Sequence, residues 1–274
     1  MLDAILLGIL QGLTEFLPIS SSGHLVLGQA LLGGAGHGEQ GILFEVLLHL
    51  GTLLAVVVSF RQDVADLLTS CLPQGMTHQD VVVNRRSRRL LLAMVVASLP
   101  AAIVGLSLKD AIEQLFTRPE TVALFLLGTA LILFVGSRLR PGQRMAEDAG
   151  WGRSLLVGTA QAFAILPGIS RSGSTIVAGI ATGLRPVEAA RFSFLISLPA
   201  VGGAALLEAR ELFTGDAVIT MPAAWLLAGF LSSAIVGYLS LKWLLIAVRN
   251  RSLIWFSAYC ATAGLAFLVY RALA

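Results

Sequence analysis

The sequence predicts an all-α polytopic membrane protein, with six transmembrane helices plus two re-entrant helix pairs in an inverted-topology repeat. Of its 274 residues, 56% are hydrophobic and 13% charged, against about 25% charged in soluble domains. Apolar stretches near or above about 18 residues recur along the chain, each long enough to cross roughly 30 Å of hydrocarbon as a helix. Two further apolar regions with polar tips repeat one another half a chain apart. This balance excludes disorder, a disulfide scaffold and a soluble enzyme. Cys71 and Cys260 lie far apart in the sequence, which argues against both a disulfide and a thiolate metal site.

In chain order, residues 2–19 and 155–169 each run into a Pro, a Ser cluster and a Gly before a shorter apolar segment resumes. Each reads as a broken helix pair, tolerated at membrane depth only where the freed backbone is buried in protein or lines a wet cavity. Residues 42–60, 90–108, 121–135, 187–207, 223–248 and 253–269 supply the six crossings. The N-terminus carries Asp3, Gln11 and Glu15 and no basic region, so it reads as a retained segment rather than a signal peptide.

A shift of 150 positions lays Gly8 on Gly158, Gln11 on Gln161, Ser20 on Ser170, Ser22 on Ser172 and Gly23 on Gly173, and Phe44 matches Phe192 at nearly the same shift. One broken pair plus three crossing helices makes each half. Three is odd, so the second half enters from the opposite face, predicting one integral membrane domain made of repeats 1–145 and 151–274, the second inverted. Lys and Arg in short loops favour the cytoplasm. If Arg61, Arg85, Arg86, Arg88 and Arg89 are inside, so are Arg138, Arg140, Arg144, Arg153, Arg185, Arg191, Lys242, Arg249 and Arg251. Lys109, Arg118, Arg210 and Arg271 fall outside, and Arg171 stays in the membrane. Both termini then face outward and the two tips meet near the midplane. The net charge of only +3 gives no reason to expect a nucleic-acid partner.

The tips concentrate the polarity. The first runs from Gln11 through Glu15, Pro18, Ser20, Ser21, Ser22 and Gly23 to His24; the second runs from Pro167 through Gly168, Ser170, Arg171, Ser172, Gly173 and Ser174 to Thr175. Ionisable groups flanked by apolar residues are costly and point to function. Ser-Arg-Ser-Gly-Ser-Thr at a helix start suits a phosphate-type anion: Gly admits close approach, the helix end attracts negative charge, hydroxyls donate, and Arg171 offers a planar fork. The plainer alternative is a turn whose hydroxyls satisfy broken backbone, with Arg171 snorkelling to the surface. Gln11 and Glu15, four apart, share a helix face and suit a hard cation, Mg²⁺ or Ca²⁺, with phosphate as co-ligand, or simple helix–helix hydrogen bonding. Ser21 and His24 offer a nucleophile with its base, or His24 itself attacks; spacing leaves both open.

Elsewhere, Glu45 and His49, one turn apart, suit a supporting role. Asp63, Asp66, Arg85 to Arg89, Glu147 and Asp148 read as solvated loop charges. Gly51, Gly105, Gly128, Gly202, Gly203 and Gly237 suit close helix packing, and Trp151, Trp225, Trp243 and Trp255 suit interfacial anchors.

Gln11-x-x-x-Glu15, the following Pro-Ile-Ser-Ser-Ser-Gly-His, and Pro-Gly-Ile-Ser-Arg-Ser-Gly-Ser-Thr together resemble the undecaprenyl-diphosphate phosphatase family of the bacitracin-resistance type, over essentially the full chain. The resemblance implies a multi-pass enzyme of the bacterial inner membrane that hydrolyses undecaprenyl diphosphate to the monophosphate and inorganic phosphate. That reaction would renew the lipid carrier of peptidoglycan synthesis and confer bacitracin resistance. It also implies two re-entrant pairs, a divalent cation, and an active site open to the periplasm. Catalytic roles then fall on Glu15, Ser21, His24 and Arg171. Substrate contacts fall on Gln11, Ser20, Ser22, Ser170, Ser172, Gly173, Ser174 and Thr175. Because Gln replaces a carboxylate at position 11, metal ligation falls on Glu15. The expected partners are the lipid diphosphate and membrane lipid, with a homodimer open as an assembly. Competing readings are a lipid transporter or flippase, which would share inverted repeats and broken helices, and a structural membrane scaffold.

Overall fold

The structure, a computed structural model, describes residues 1–31, 41–71, 78–214 and 221–273. It is all-helical among these residues. The first broken region forms α1 (Leu2–Phe16) and α2 (Ser21–Leu31), and the second forms α8 (Gly150–Phe163) and α9 (Arg171–Ala181). Long helices are α3 (Gly41–Ser59), α5 (His78–Ser107), α7 (Pro119–Arg138), α10 (Pro186–Thr214), α11 (Ala223–Arg249) and α12 (Leu253–Leu273). Five of these are long and apolar enough to cross a membrane alone. The sixth span requires α3 to be taken with α4 (Arg61–Ser70), bent from it by 83°. The short helices α4 and α6 (Lys109–Phe116) and the single 3₁₀ turn Ala146–Asp148 fall in segments that the sequence pattern left as connections.

Both breaks follow from local chemistry. Leu17, ahead of Pro18, takes φ −64°, ψ 141°, the extended conformation that a following proline imposes, so α1 stops there. After each break a serine restarts the helix by accepting the amide of the glycine three residues on. Gly23 N–H donates to Ser20 Oγ at 3.2 Å, and Gly173 N–H donates to Ser170 Oγ at 3.1 Å, the N-cap arrangement. Ser20 Oγ and Ser22 Oγ also lie 3.4 Å apart, and Ser170 Oγ and Ser172 Oγ 3.3 Å. The two tips therefore repeat the same small network.

The core is apolar, as in a soluble protein, but the outer surface is apolar too. Leu106, Leu206, Leu131 and Ile103 in mid-helix are at least 64% exposed, whereas Ser154, Ser193 and Ser233 are fully buried. This is the pattern of helices whose outer faces meet lipid and whose interfaces use small residues. The helix α1 lies against α11 through Gly8 and Gly12: a Cβ on Gly12 would come within 2.7 Å of Gly237 N and 2.8 Å of Ser233 O. Correspondingly, α8 lies against α5 at Gly158, beside Ala97. Each broken helix thus packs on a long helix from the other half of the chain.

Two sequence readings require correction. Gly51 and Gly237 do pack closely, but Gly203 faces open space, Gly105 and Gly202 meet only side chains beyond 3.6 Å, and Gly128 meets only the flexible end of Ile169. Asp63 and Glu147 are not solvated loop charges. Arg191, in the first turns of α10, donates to Asp63 on α4 at 2.5 Å, to Glu188 at 2.9 Å and to Glu147 at 3.4 Å. Arg85 to Arg89 lie within α5 rather than a loop, and Arg88 Nε donates to Ser70 O at 3.0 Å. The side chain of Arg210 lies outside the described residues. Cys71 and Cys260 are free thiols.

Candidate active site

The two tips meet. A Cβ on Gly23 would stand 3.1 Å from Gly168 Cα, and Ser172 Oγ donates to Leu17 O at 3.3 Å. Gly168, with φ +99°, makes the left-handed turn that leads α8 into α9, where L side chains are disfavoured. A Cβ there would also press on Phe125. The turn is held from α7 by Thr129, whose hydroxyl donates to Gly168 O at 2.7 Å and accepts from Ser170 N–H at 2.9 Å.

Across this contact Arg171 Nη2 donates to Glu15 Oε1 at 2.5 Å, with side chains only 17% and 11% exposed. The other carboxylate oxygen of Glu15 accepts from Ser21 Oγ at 3.1 Å and from Gln11 Nε2 at 3.3 Å. On α3, His49 Nδ1 donates to Glu45 O at 2.9 Å. The second nitrogen of the guanidinium, Arg171 Nη1, is buried without a hydrogen-bond partner, as is Ser174 Oγ. Buried polar groups are almost always satisfied, so these two are donors awaiting an acceptor. The α2 and α9 helices begin beside them, adding the positive ends of two helices.

Gln11, Glu15, Ser21 and Arg171 therefore converge as expected. Ser20, Ser22, Ser170, Ser172 and Gly173 shape the two turns. Thr175 is turned away: fully buried, its hydroxyl donates to Arg171 O at 2.7 Å and lies 2.5 Å from Ser193 Oγ. His24 stands one turn beyond Ser21 on α2 but does not bond Glu15 or Arg171. Its Nδ1 meets Ser20 O at 2.8 Å and its Nε2 meets Tyr259 Oη at 2.8 Å.

His24 and Tyr259 also line a groove of about 620 Å³ between α1, α11 and α12, within the roughly 300–1,000 Å³ of ligand pockets. Leu10, Leu13, Leu17, Trp243, Ile246 and Phe256 make its walls mostly apolar.

The family profile described as "Bacitracin resistance protein BacA" matches residues 4–266. The chain belongs to the BacA family. Among curated relatives, an Undecaprenyl-diphosphatase of Syntrophotalea carbinolica is 45% identical, covering 96% of each chain. One of Methanosphaera stadtmanae is 42% identical over 98% of this chain and 97% of its own. A third, of Desulfatibacillum aliphaticivorans, is 38% identical over 98% of both.

For a BacA-family chain the metal question turns on the donor set. Among the described residues no three His, Cys, Asp or Glu side chains cluster as cation ligands, and Glu15 stands with the Arg171 guanidinium on one oxygen and the Gln11 amide and Ser21 hydroxyl on the other. A cation here would have to share that one carboxylate with Arg171 and take its other ligands from water and phosphate oxygens, as Mg²⁺ does at phosphates. Sequence reasoning missed Tyr259 and Thr129. Each is a single polar residue inside an apolar span, with no motif around it, and only the packing of α7 and α12 brings them to the tips.

Proposed function

We propose that this chain hydrolyses undecaprenyl diphosphate to undecaprenyl phosphate and inorganic phosphate. The observation that carries the reading is Arg171: Nη2 is committed to Glu15 from the opposite tip and Nη1 is buried with no acceptor. A phosphate oxygen supplies that acceptor. Arg171 and Ser174 hold the terminal phosphoryl group, with the α2 and α9 N-termini and the Ser170 turn facing its charge. Gln11 and Ser21 keep Glu15 in place. A divalent cation, Mg²⁺ or Ca²⁺, held by Glu15 and the diphosphate, would neutralise charge that builds on the transferring group.

Attack on the terminal phosphorus breaks its bond to the bridging oxygen, which leaves on the lipid monophosphate. Attack by water deprotonated by His24 gives inorganic phosphate directly; attack by Ser21 or His24 gives a phospho-enzyme whose P–O or P–N bond water then breaks to release it. The polyprenyl chain stays among the helices in lipid, since it gains nothing from water. In this reading the two halves form an inverted repeat, the termini and the site's mouth face the periplasm, and the membrane is the bacterial inner membrane.

The test is phosphate release by purified protein on undecaprenyl diphosphate, with and without chelator, for wild type, Arg171→Ala, Ser21→Ala and His24→Ala. Activity is expected to vanish in Arg171→Ala with folded protein retained. Full activity in that variant would remove the site.

A further inference from the structure

We propose that Tyr259 is a positioning residue for His24, holding Nε2 as the basic and reactive nitrogen of the imidazole. The inference rests on the phosphatase reading for its kinetic consequence, but its structural part stands on the contacts alone.

Ser20 O can only accept, so the 2.8 Å contact makes His24 Nδ1 a donor. In neutral imidazole the other nitrogen is then an acceptor, and at 2.8 Å from Nε2 the Tyr259 hydroxyl is its donor. The rings also stack, with centroids 5.5 Å apart and planes 8° apart. Two hydrogen bonds and a stack leave the imidazole one orientation and one tautomer. Both partners are themselves anchored. Ser20 sits at φ +68°, a conformation costly for a non-glycine residue, and this turns its carbonyl onto both His24 N–H, at 3.2 Å, and Nδ1.

Tyr259 is carried by α12, which is tied to its surroundings on either side of the tyrosine. Ser257 Oγ donates to Ala130 O at 2.7 Å on α7, and Cys260 Sγ lies 3.8 Å from Pro18 O in the first tip. His24 and Tyr259 both line the apolar groove, so the bonded pair forms part of its wall. A catalytic imidazole is commonly oriented through its other nitrogen by a third group; here Ser20 O holds that place on Nδ1, and Tyr259, from the far end of the chain, fixes the ring from the Nε2 side.

Tyr259→Phe keeps the stack and removes the bond, and Tyr259→Leu removes both. The probes are diethyl pyrocarbonate, with carbethoxylation of each histidine read by mass spectrometry, and steady-state phosphate release from undecaprenyl diphosphate. Loss of one hydrogen bond predicts His24 modification about three- to tenfold faster in Tyr259→Phe, with His49 unchanged as the internal reference, and kcat lowered by a similar factor at unchanged KM. Tyr259→Leu is expected to fall further in kcat. Unchanged His24 modification and unchanged kcat in Tyr259→Phe overturn the proposal, and so does a kcat loss accompanied by equal change at His49, which would mark general loosening. A wild-type protein that releases no phosphate would instead sink the phosphatase reading, and the modification ratio would still decide whether Tyr259 holds His24.

Discussion

At the scale of single residues, the carboxylate of Glu15 and the guanidinium of Arg171 depend on each other. Removing either leaves a buried charge facing an empty partner, and donors aimed at developing charge are worth about 10²–10³ in kcat. Glu15→Gln is expected to lower phosphate release by at least about a hundredfold, measured at saturating lipid, and to lower the melting midpoint as well, because Arg171 is left buried without its counter-charge. Thr129→Val is expected to act by another route. It strips partners from Gly168 O and Ser170 N–H, each buried, at about 1–3 kcal/mol apiece, so thermal stability and activity fall together. The Gln11, Glu15, Ser21 and Arg171 grouping was legible in the sequence because ionisable side chains stand out against an apolar background. The roles of Thr129, Tyr259 and Thr175 were not, since a hydroxyl in a helix declares neither its partner nor its direction.

Among elements, the broken helices are defined by what they press against. Gly8 and Gly12 let α1 approach α11 to backbone contact. Gly12→Leu is expected to destabilise the protein by at least about 1–3 kcal/mol, the cost of overpacking, seen as a lower midpoint in a detergent melt. Gly203→Ala, where nothing opposes a Cβ, should leave the melt unchanged. All six long helices and both breaks were readable from apolar length and from Pro and Ser punctuation. The Asp63–Arg191 pair that ties α4 to α10 was not, because the two are far apart in sequence and each, taken alone, resembles a loop charge.

Over the whole molecule, the Arg191 cluster joins α4, the 3₁₀ turn and α10, and so couples the first half, the connection and the second. With Arg191 and its partners 11–23% exposed, the cluster lies between an exposed pair at about 0–1 kcal/mol and a buried one whose loss costs about 3–5. Arg191→Met leaves three carboxylates together without their cation, and a clear drop in the melting midpoint is expected, larger than for Asp63→Asn.

The exchange of helices between halves also bears on how the chain can be divided. Because α1 beds on α11 and α8 on α5, a fragment of residues 1–145 or 151–274 made alone would leave a glycine-lined seat vacant and a short helix unhoused. The two fragments co-produced should find each other and restore phosphate release, while either by itself is expected to be degraded. The continuous chain would then be, in physical terms, a pair of mutually dependent subunits that happen to share one thread.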